Sequence, residues 1–577
     1  MRSSMNEMEK RKILSEVILG NIPPDTVITN GTLFNVFTRE FIKDQSIWIK
    51  DEMIAYVGPD QDPPKNGSTH FIDADRMVLL PGMIESHTHI LNKSGIEELI
   101  RHVIPSGVTT IVTETEDFGL ISGKESLKYL SRGFEGQPIR LYYTLPPFCG
   151  LIPSVEVNAP PNEELLPLLR DPKCLGIGEI YWSNIFLEGR RGERIRELVS
   201  IALDLGKTVE GHGAGATGRK LQAYTCFGIS SDHEPITEDE VLERLRLGYW
   251  TMIREGSVRK ELTGVKGIFN KKIDFRRLII ASDGLDPEEI LEGGYLHGAM
   301  KRALKLGVPP EIAYQMVTIN AAEHFHLSHH IGSLSPGRMA DLLIIPSPDE
   351  FSLQLVMCDG KIICRDGKPM AEPKKVFFPD FMFNTVKVQA YPRPSFTNKG
   401  KVRVIELVTR LVTKESIIDI EDSEASKDTN MVFALDRVGQ GGTFVGLLKG
   451  YGLQRGACGS TLCWDTTDMI VVGCDHHSIE TVIHRLKEIQ GGYVYAIGGE
   501  VIAEFSAPIC GFLSLKPMAT IREELRRLEE SLKGNGVIWD KPLLTIDILT
   551  TPAIPHLRIT HEGYVRLKDR KVLPLEA

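Results

Sequence analysis

The chain lacks any excess of basic residues: 67 Lys and Arg stand against 77 Asp and Glu, for a formal net charge of -10. With no basic run forming a face, nucleic acid is not expected as a partner. No stretch of about 18 uninterrupted apolar residues occurs, so no membrane span is expected. The nine cysteines include no Cys-x-x-Cys pair and read as individually placed, reduced thiols. Met1 to Lys12 alternates charges and has no apolar core of a secretory signal. A cytoplasmic protein is expected. Low-complexity segments, short repeats and a Ser-His-Asp arrangement with a nucleophile elbow are all missing. Gly439-Gln440-Gly441-Gly442 lacks the strand-turn-helix frame of a nucleotide loop and reads as a turn.

What is present is length and order. At 577 residues the chain exceeds what one core usually organises, so two or three domains are expected. From Thr26 to Asp75, short alternating runs punctuated by Asn30-Gly31 and Gly58-Pro59 read as hairpins. A matching piece recurs at Ala340–Ile345 and Leu355–Lys361, and the two should pair into one sheet. Between them, apolar strand-like runs alternate with helical segments. Eight strands are expected: 78–84, 108–113, 141–145, 175–180, 208–210, 228–230, 250–254 and 278–281. Eight βα units over about 250 residues fit a (β/α)8 barrel, whose active site lies at the C-terminal ends of its strands. The expected fold is therefore α/β. It comprises a split β-sandwich (20–76 plus 332–374), a barrel (77–331) and a C-terminal α/β domain (375–577) beginning after the proline-rich stretches near Pro379 and Tyr391–Pro394. Helices are expected over 478–489 and 521–532 in that last part.

The chemistry follows from what ends those strands. His87-Thr88-His89 closes the apolar run that begins at Met77, and residues two apart on a strand point to the same side. Glu179, His212, His233 and Asp283 also end or follow short apolar runs, in the positions expected for strands four, five, six and eight. Four imidazoles and two carboxylates suit two divalent cations sharing a bridging carboxylate and a bridging hydroxide. Glu179 is expected to bridge, because no lysine stands at the end of strand four. Asp283 is the expected first proton acceptor and Glu234 a second proton carrier, or else a residue that orients His233. Arg254 or Ser257 could face a polar substrate edge, or form a loop salt bridge. His324, His326, His329 and His330 have no evident carboxylate partner and read as a surface cluster.

The segment Pro81-Gly82-Met83-Ile84-Glu85-Ser86-His87-Thr88-His89 resembles the opening motif of the amidohydrolase superfamily. More specifically, Gly211-His212-Gly213-Ala214, Ser231-Asp232-His233-Glu234, Arg254-Glu255-Gly256-Ser257, and Asp286-Pro287-Glu288-Glu289 with His297 are similar to bacterial and archaeal adenine deaminases. So are Gly450–Ala457 and Ile470–Gly473 further on. The resemblance implies two divalent metal ions, manganese, iron or zinc. It also implies hydrolysis of adenine to hypoxanthine and ammonia, and His297 as a substrate residue. An oligomer, as a dimer, is a family-level expectation.

The sequence departs from that family where substrate would be read. Glu114-Thr115-Glu116-Asp117 replaces an Asp-Pro-His-Glu motif, and Gly284 follows Asp283 in place of a second aspartate. Trp464-Asp465-Thr466-Thr467-Asp468 replaces a His-Asp-Ser-His-Asn motif, so Trp464 and Thr467 stand where histidines are usual. Glu116 is the expected reader of a donor-bearing substrate edge. A relative acting on an N6-substituted adenine, a pterin or a cyclic amide therefore stands beside adenine deamination. A non-catalytic binding protein is disfavoured, because a buried ligand set without metal would leave its charges uncompensated.

Overall fold

Thr26–Asn35, Glu40–Lys50 and Met53–Gly58 form an antiparallel meander that seeds a nine-stranded sheet. In the computed structural model, which describes residues 6–60, 62–389, 400–424 and 426–577, the distant strands Leu342–Ile345, Leu355–Cys358 and Lys361–Arg365 join this sheet. The join is made by Val78–Pro81, antiparallel to Leu342–Ile345 with Leu80 opposite Leu343. Asn30-Gly31 is not a turn. It is a bulge inside the first strand, where register shifts between Ile28 and Gly31. Gly31 is required there because a Cβ would come within 2.3 Å of Leu79. The stretch Tyr391–Pro394 and residues Met1–Met5 lie outside the described residues.

The barrel strands follow in chain order: β1 Met83–Thr88, β2 Val108–Thr113, β3 Arg140–Leu145, β4 Cys174–Tyr181, β5 Thr208–His212, β6 Ser231–Asp232, β7 Trp250–Arg254 and β8 Leu278–Ala281. β1 to β5 form one parallel sheet and β6 to β8 another. β5 lies beside β6, and β8 beside β1, where Asp283 N donates to His87 O at 3.0 Å. Two expected strands are corrected. The run 78–84 is two strands broken at Pro81-Gly82, because its first half pairs with the split sheet and only its second half enters the barrel. The sixth strand is Ser231–Asp232 rather than 228–230, since Gly228, with φ +82, belongs to the turn that leads into it.

The C-terminal part carries an eight-stranded, mostly antiparallel sheet over Lys401–Ser506. The helix His476–Glu488 buries Ile479, Val482, Ile483 and Leu486 against it. That helix starts two residues before the expected Ser478 because Asp475 caps it, accepting from Ser478 N at 2.8 Å. The second helix, expected at 521–532, runs Met518–Gly534. The C-terminal part docks on the barrel through Leu513–Ser514, which pairs in parallel with Lys93–Ser94 just past β1. No helix among the described residues is long and apolar enough to cross a membrane, and all nine cysteines are free.

Candidate metal centre and active-site cavity

The eight strands aim their C-terminal ends at one mouth, and the ligand-type residues meet there. His87 Nε2, His89 Nε2 and His233 Nε2 lie 3.1, 3.3 and 3.5 Å from a single oxygen, Glu179 Oε1. Asp283 Oδ1 stands 3.4 Å from both His87 Nε2 and His89 Nε2. His212 Nε2 lies 3.9 Å from the other Glu179 oxygen and 3.2 Å from Glu234 Oε1. Three overlapping groups of donor atoms emerge here: His87–His89–Glu179–Asp283 and Glu179–His212–His233, which have Glu179 in common, and His233–Glu234–Asp283.

This donor set fits divalent metal. Three imidazole nitrogens converge on one carboxylate oxygen, more than it accepts in good hydrogen-bond geometry, and His87 Nε2 is buried with no hydrogen-bond partner. Burial pulls the His87 pKa down, but Asp283 and Glu179 outweigh it and hold the value up near 10. His89 is raised by the same two carboxylates against its own burial. Glu179 is driven below the ordinary carboxylate range despite burial, chiefly by His233 and His87. The cluster therefore demands positive charge, which protons or cations can supply.

The segments that carry His87, His212 and His233 are held from behind. Glu85, fully buried at the base of β1, accepts from Ser282 N at 3.1 Å and from His87 N at 3.3 Å, tying β1 to β8. Asp232 accepts from Gly213 N and Glu234 N, each at 3.0 Å, and from Arg244 Nε at 2.9 Å. One buried ion pair thus fixes both the His212 loop and the His233–Glu234 loop. Gly213 is required for this approach, because a Cβ would sit 2.2 Å from Asp232 Oδ2. Tyr224 OH accepts from His212 N at 3.1 Å and donates to Ile180 O.

Arg254 is buried, and its guanidinium is gripped by three carboxylates: Glu261 at 2.8 Å, Asp283 Oδ2 at 3.2 Å, and Glu234 more closely. Ser257 lines the same cavity and donates to Glu289 at 2.6 Å while accepting from Asp286 N. Glu116 lies in the wall as expected, as do Gly284 and Trp464. His297 is not brought to the cavity: it sits in the helix Leu296–Lys305, and burial lowers its pKa to about 4. Thr467 is buried away from the lining. The histidines near 324 are not one surface cluster, because His324 is buried and its Nε2 lies 2.8 Å from Glu210 Oε2, which also accepts from Ser231. His326 and His329 are exposed.

Residues given no site role from the sequence complete the site. Glu114, ending β2, places Oε1 3.6 Å from His87 Nδ1; it satisfies the same strand-end pattern that marked the other ligand-type residues. Tyr181 OH donates to Asp465 Oδ1 at 2.8 Å, so the C-terminal part supplies one wall of the cavity. Trp464, Tyr493, Asp547 and Lys541 extend that wall, and Asp286 bridges Lys93 at 2.8 Å and Lys541 at 3.0 Å at its edge.

Comparison with known proteins matches these features to families. Residues 192–363 match the amidohydrolase family model, and residues 406–571 match the adenine deaminase C-terminal domain. The chain is 30% identical over 585 residues to an adenine deaminase of Clostridium botulinum (strain Loch Maree / Type A3), covering 96% of each. It is 30% identical over 586 residues to the adenine deaminase of Archaeoglobus fulgidus, covering 100% of both. Among solved structures, a β-aspartyl dipeptidase of Fervidobacterium islandicum AW-1 is 18% identical with a TM-score of 0.46, covering 61% of this chain and 100% of that one.

Proposed function

The chain belongs to the adenine deaminase family of the amidohydrolases, and we propose that it hydrolyses the 6-amino group of adenine to give hypoxanthine and ammonia. The observation that carries this reading is the convergence of His87, His89, Glu179, His212, His233 and Asp283 within a few ångströms at the mouth of the barrel. His87, His89, Glu179 and Asp283 would hold one divalent ion, and His212 and His233 a second that shares Glu179. Bound there, such ions lower the pKa of water and polarise the ring carbon under attack.

The chain's own residues then move the protons. Asp283, with Oδ1 toward the histidines and Oδ2 fixed by Arg254, takes the proton from the attacking water. Glu234, next to His212 and held by the same guanidinium, relays a proton to the leaving amine. The C6–O bond forms, the C6–N bond breaks, and ammonia leaves. Arg254 is a positioning residue in this scheme. Ser257 fixes the Asp286 loop beside the pocket.

Two ions, manganese, iron or zinc, which the donor chemistry suits, complete the reading, together with a homodimer and a cytoplasmic place in purine metabolism, both carried over from the family resemblance. A second reading, hydrolysis of another nitrogen heterocycle on the same centre, is favoured by Glu116 and Trp464 in the cavity wall. Metal-reconstituted full-length protein should convert adenine to hypoxanthine with release of ammonia. Stoichiometric metal with no turnover of adenine or any related ring would sink the deamination reading.

A further inference from the structure

Beyond the metal cluster, the cavity wall carries carboxyl groups, two of which, Glu114 and Glu116, keep a buried oxygen without a hydrogen-bond partner. Glu114, Glu116, Asp117 and Asp465 all line it. Glu114 is only 5% exposed, yet its Oε2 has no hydrogen-bond partner, and Glu116 Oε1 is also buried without one. No Lys or Arg among the described residues forms an ion pair with Glu116, Asp117 or Asp465. Asp465 accepts from Tyr181 at 2.8 Å and from Thr551. Burial, and after it Asp465, pushes both Glu116 and Asp117 upward, with Asp117 near 7. Elsewhere in the lining, Glu234 and Asp283 both pair with Arg254. Next to Asp465 stands Trp464, half-buried and in the lining, an aromatic surface beside the unsatisfied acceptors.

A planar ring entering this pocket must supply what the wall lacks, namely N–H donors. With the 6-amino group at the metal cluster, adenine offers one further N–H, on its imidazole ring; its other ring nitrogens are acceptors. A 2-amino group adds two donors on C2, across N1 from the reacting carbon. We propose that Glu116, with Asp117 and Asp465, selects a 2-amino-substituted 6-aminopurine, and that 2,6-diaminopurine is hydrolysed in preference to adenine. Water adds at C6, ammonia leaves, and the product is guanine. This rests on the deamination reading above and names its substrate class. A site built to hydrogen-bond a donor discriminates strongly against the analogue without it, because its own buried acceptor is left unpaired.

The test compares kcat/KM for 2,6-diaminopurine and adenine on the metal-reconstituted full-length enzyme, beside calorimetric binding of guanine and hypoxanthine. The expected preference for diaminopurine is at least about tenfold, the worth of one hydrogen bond to a buried acceptor. Guanine should outbind hypoxanthine in the same sense. Glu116→Gln, which exchanges an acceptor for a donor, should bring both ratios toward one. If that variant does not fold, the wild-type ratios decide alone. Equal or better turnover of adenine, with no preference for guanine, overturns the proposal while leaving deamination intact. If neither base is turned over, the deamination reading fails, and the guanine-to-hypoxanthine ratio still decides whether the wall reads a 2-amino group.

Discussion

Arg254 joins the two carboxylates assigned to proton transfer, lying 3.2 Å from Asp283 Oδ2 and closer still to Glu234 Oε1. Because Oδ2 is committed to the guanidinium, only Oδ1 faces His87 and His89, at 3.4 Å from each. Asp283 also adopts φ +53, a left-handed conformation uncommon for aspartate, which turns its carboxylate back over the mouth.

That arrangement separates metal binding from proton transfer. Asp283→Asn keeps an oxygen toward the histidines but no longer takes a proton. Metal content should stay close to wild type while turnover falls by about 10²- to 10⁴-fold. Elemental analysis and steady-state rates on the same preparation check this, and a near-normal rate would remove Asp283 from the role.

The histidines behave differently. His87→Ala or His89→Ala removes a donor that faces both Glu179 and Asp283. Metal and activity should disappear together, and the melting temperature of the metal-loaded protein should drop toward that of the chelated wild type. Retained turnover in either variant would contradict the assignment.

Arg254→Met leaves Glu234, Glu261 and Asp283 around a buried apolar side chain. Breaking a buried pair from one side costs about 3–5 kcal/mol, so chemical denaturation should show a loss of that order. The acidic limb of the rate profile should also move to higher pH, because a carboxylate that loses a neighbouring cation titrates higher. Arg254→Lys keeps the charge but not the fork and should show the smaller shift.

Much of this centre was legible in the sequence, for a physical reason. A barrel strand buried on both faces is a continuous apolar run, so a His, Glu or Asp at its end is conspicuous and already faces the mouth. The same rule marks Glu114, which ends β2. The break at Pro81-Gly82 was not legible, because the apolar run passes through it and only pairing with Leu342–Ile345 sets it. Nor was the wall contributed by Asp465, whose partner Tyr181 lies 284 positions away. His324 misled for the opposite reason: helical neighbours suggested exposure, while Glu210, remote in sequence, holds it inside.

His324 gives a structural prediction. His324→Phe leaves Glu210 buried with only Ser231 still donating to that oxygen, so stability should fall by about 3 kcal/mol or more. The rate per folded, metal-loaded molecule should change little. His326→Ala and His329→Ala, both at exposed positions, should be neutral within about 0.5 kcal/mol. Denaturant titrations of the three variants distinguish these outcomes.

Asp286 sets a pH dependence. Its carboxylate bridges Lys93 beyond β1 and Lys541 of the C-terminal part, and although burial raises its pKa, the two lysines carry it well below the ordinary value. A carboxyl group with a depressed folded-state pKa contributes stability above its unfolded pKa of about 4 and loses that contribution as pH falls below it. Asp286→Asn should therefore melt below wild type at pH 7, leaving two ammonium groups facing each other across the docking seam. The gap should hold down to about pH 5 and narrow between about pH 4 and pH 2, as the unfolded chain takes up a proton that the bridged carboxylate of the folded protein still refuses. A gap that stays constant over that range would mean Asp286 acts through shape rather than charge.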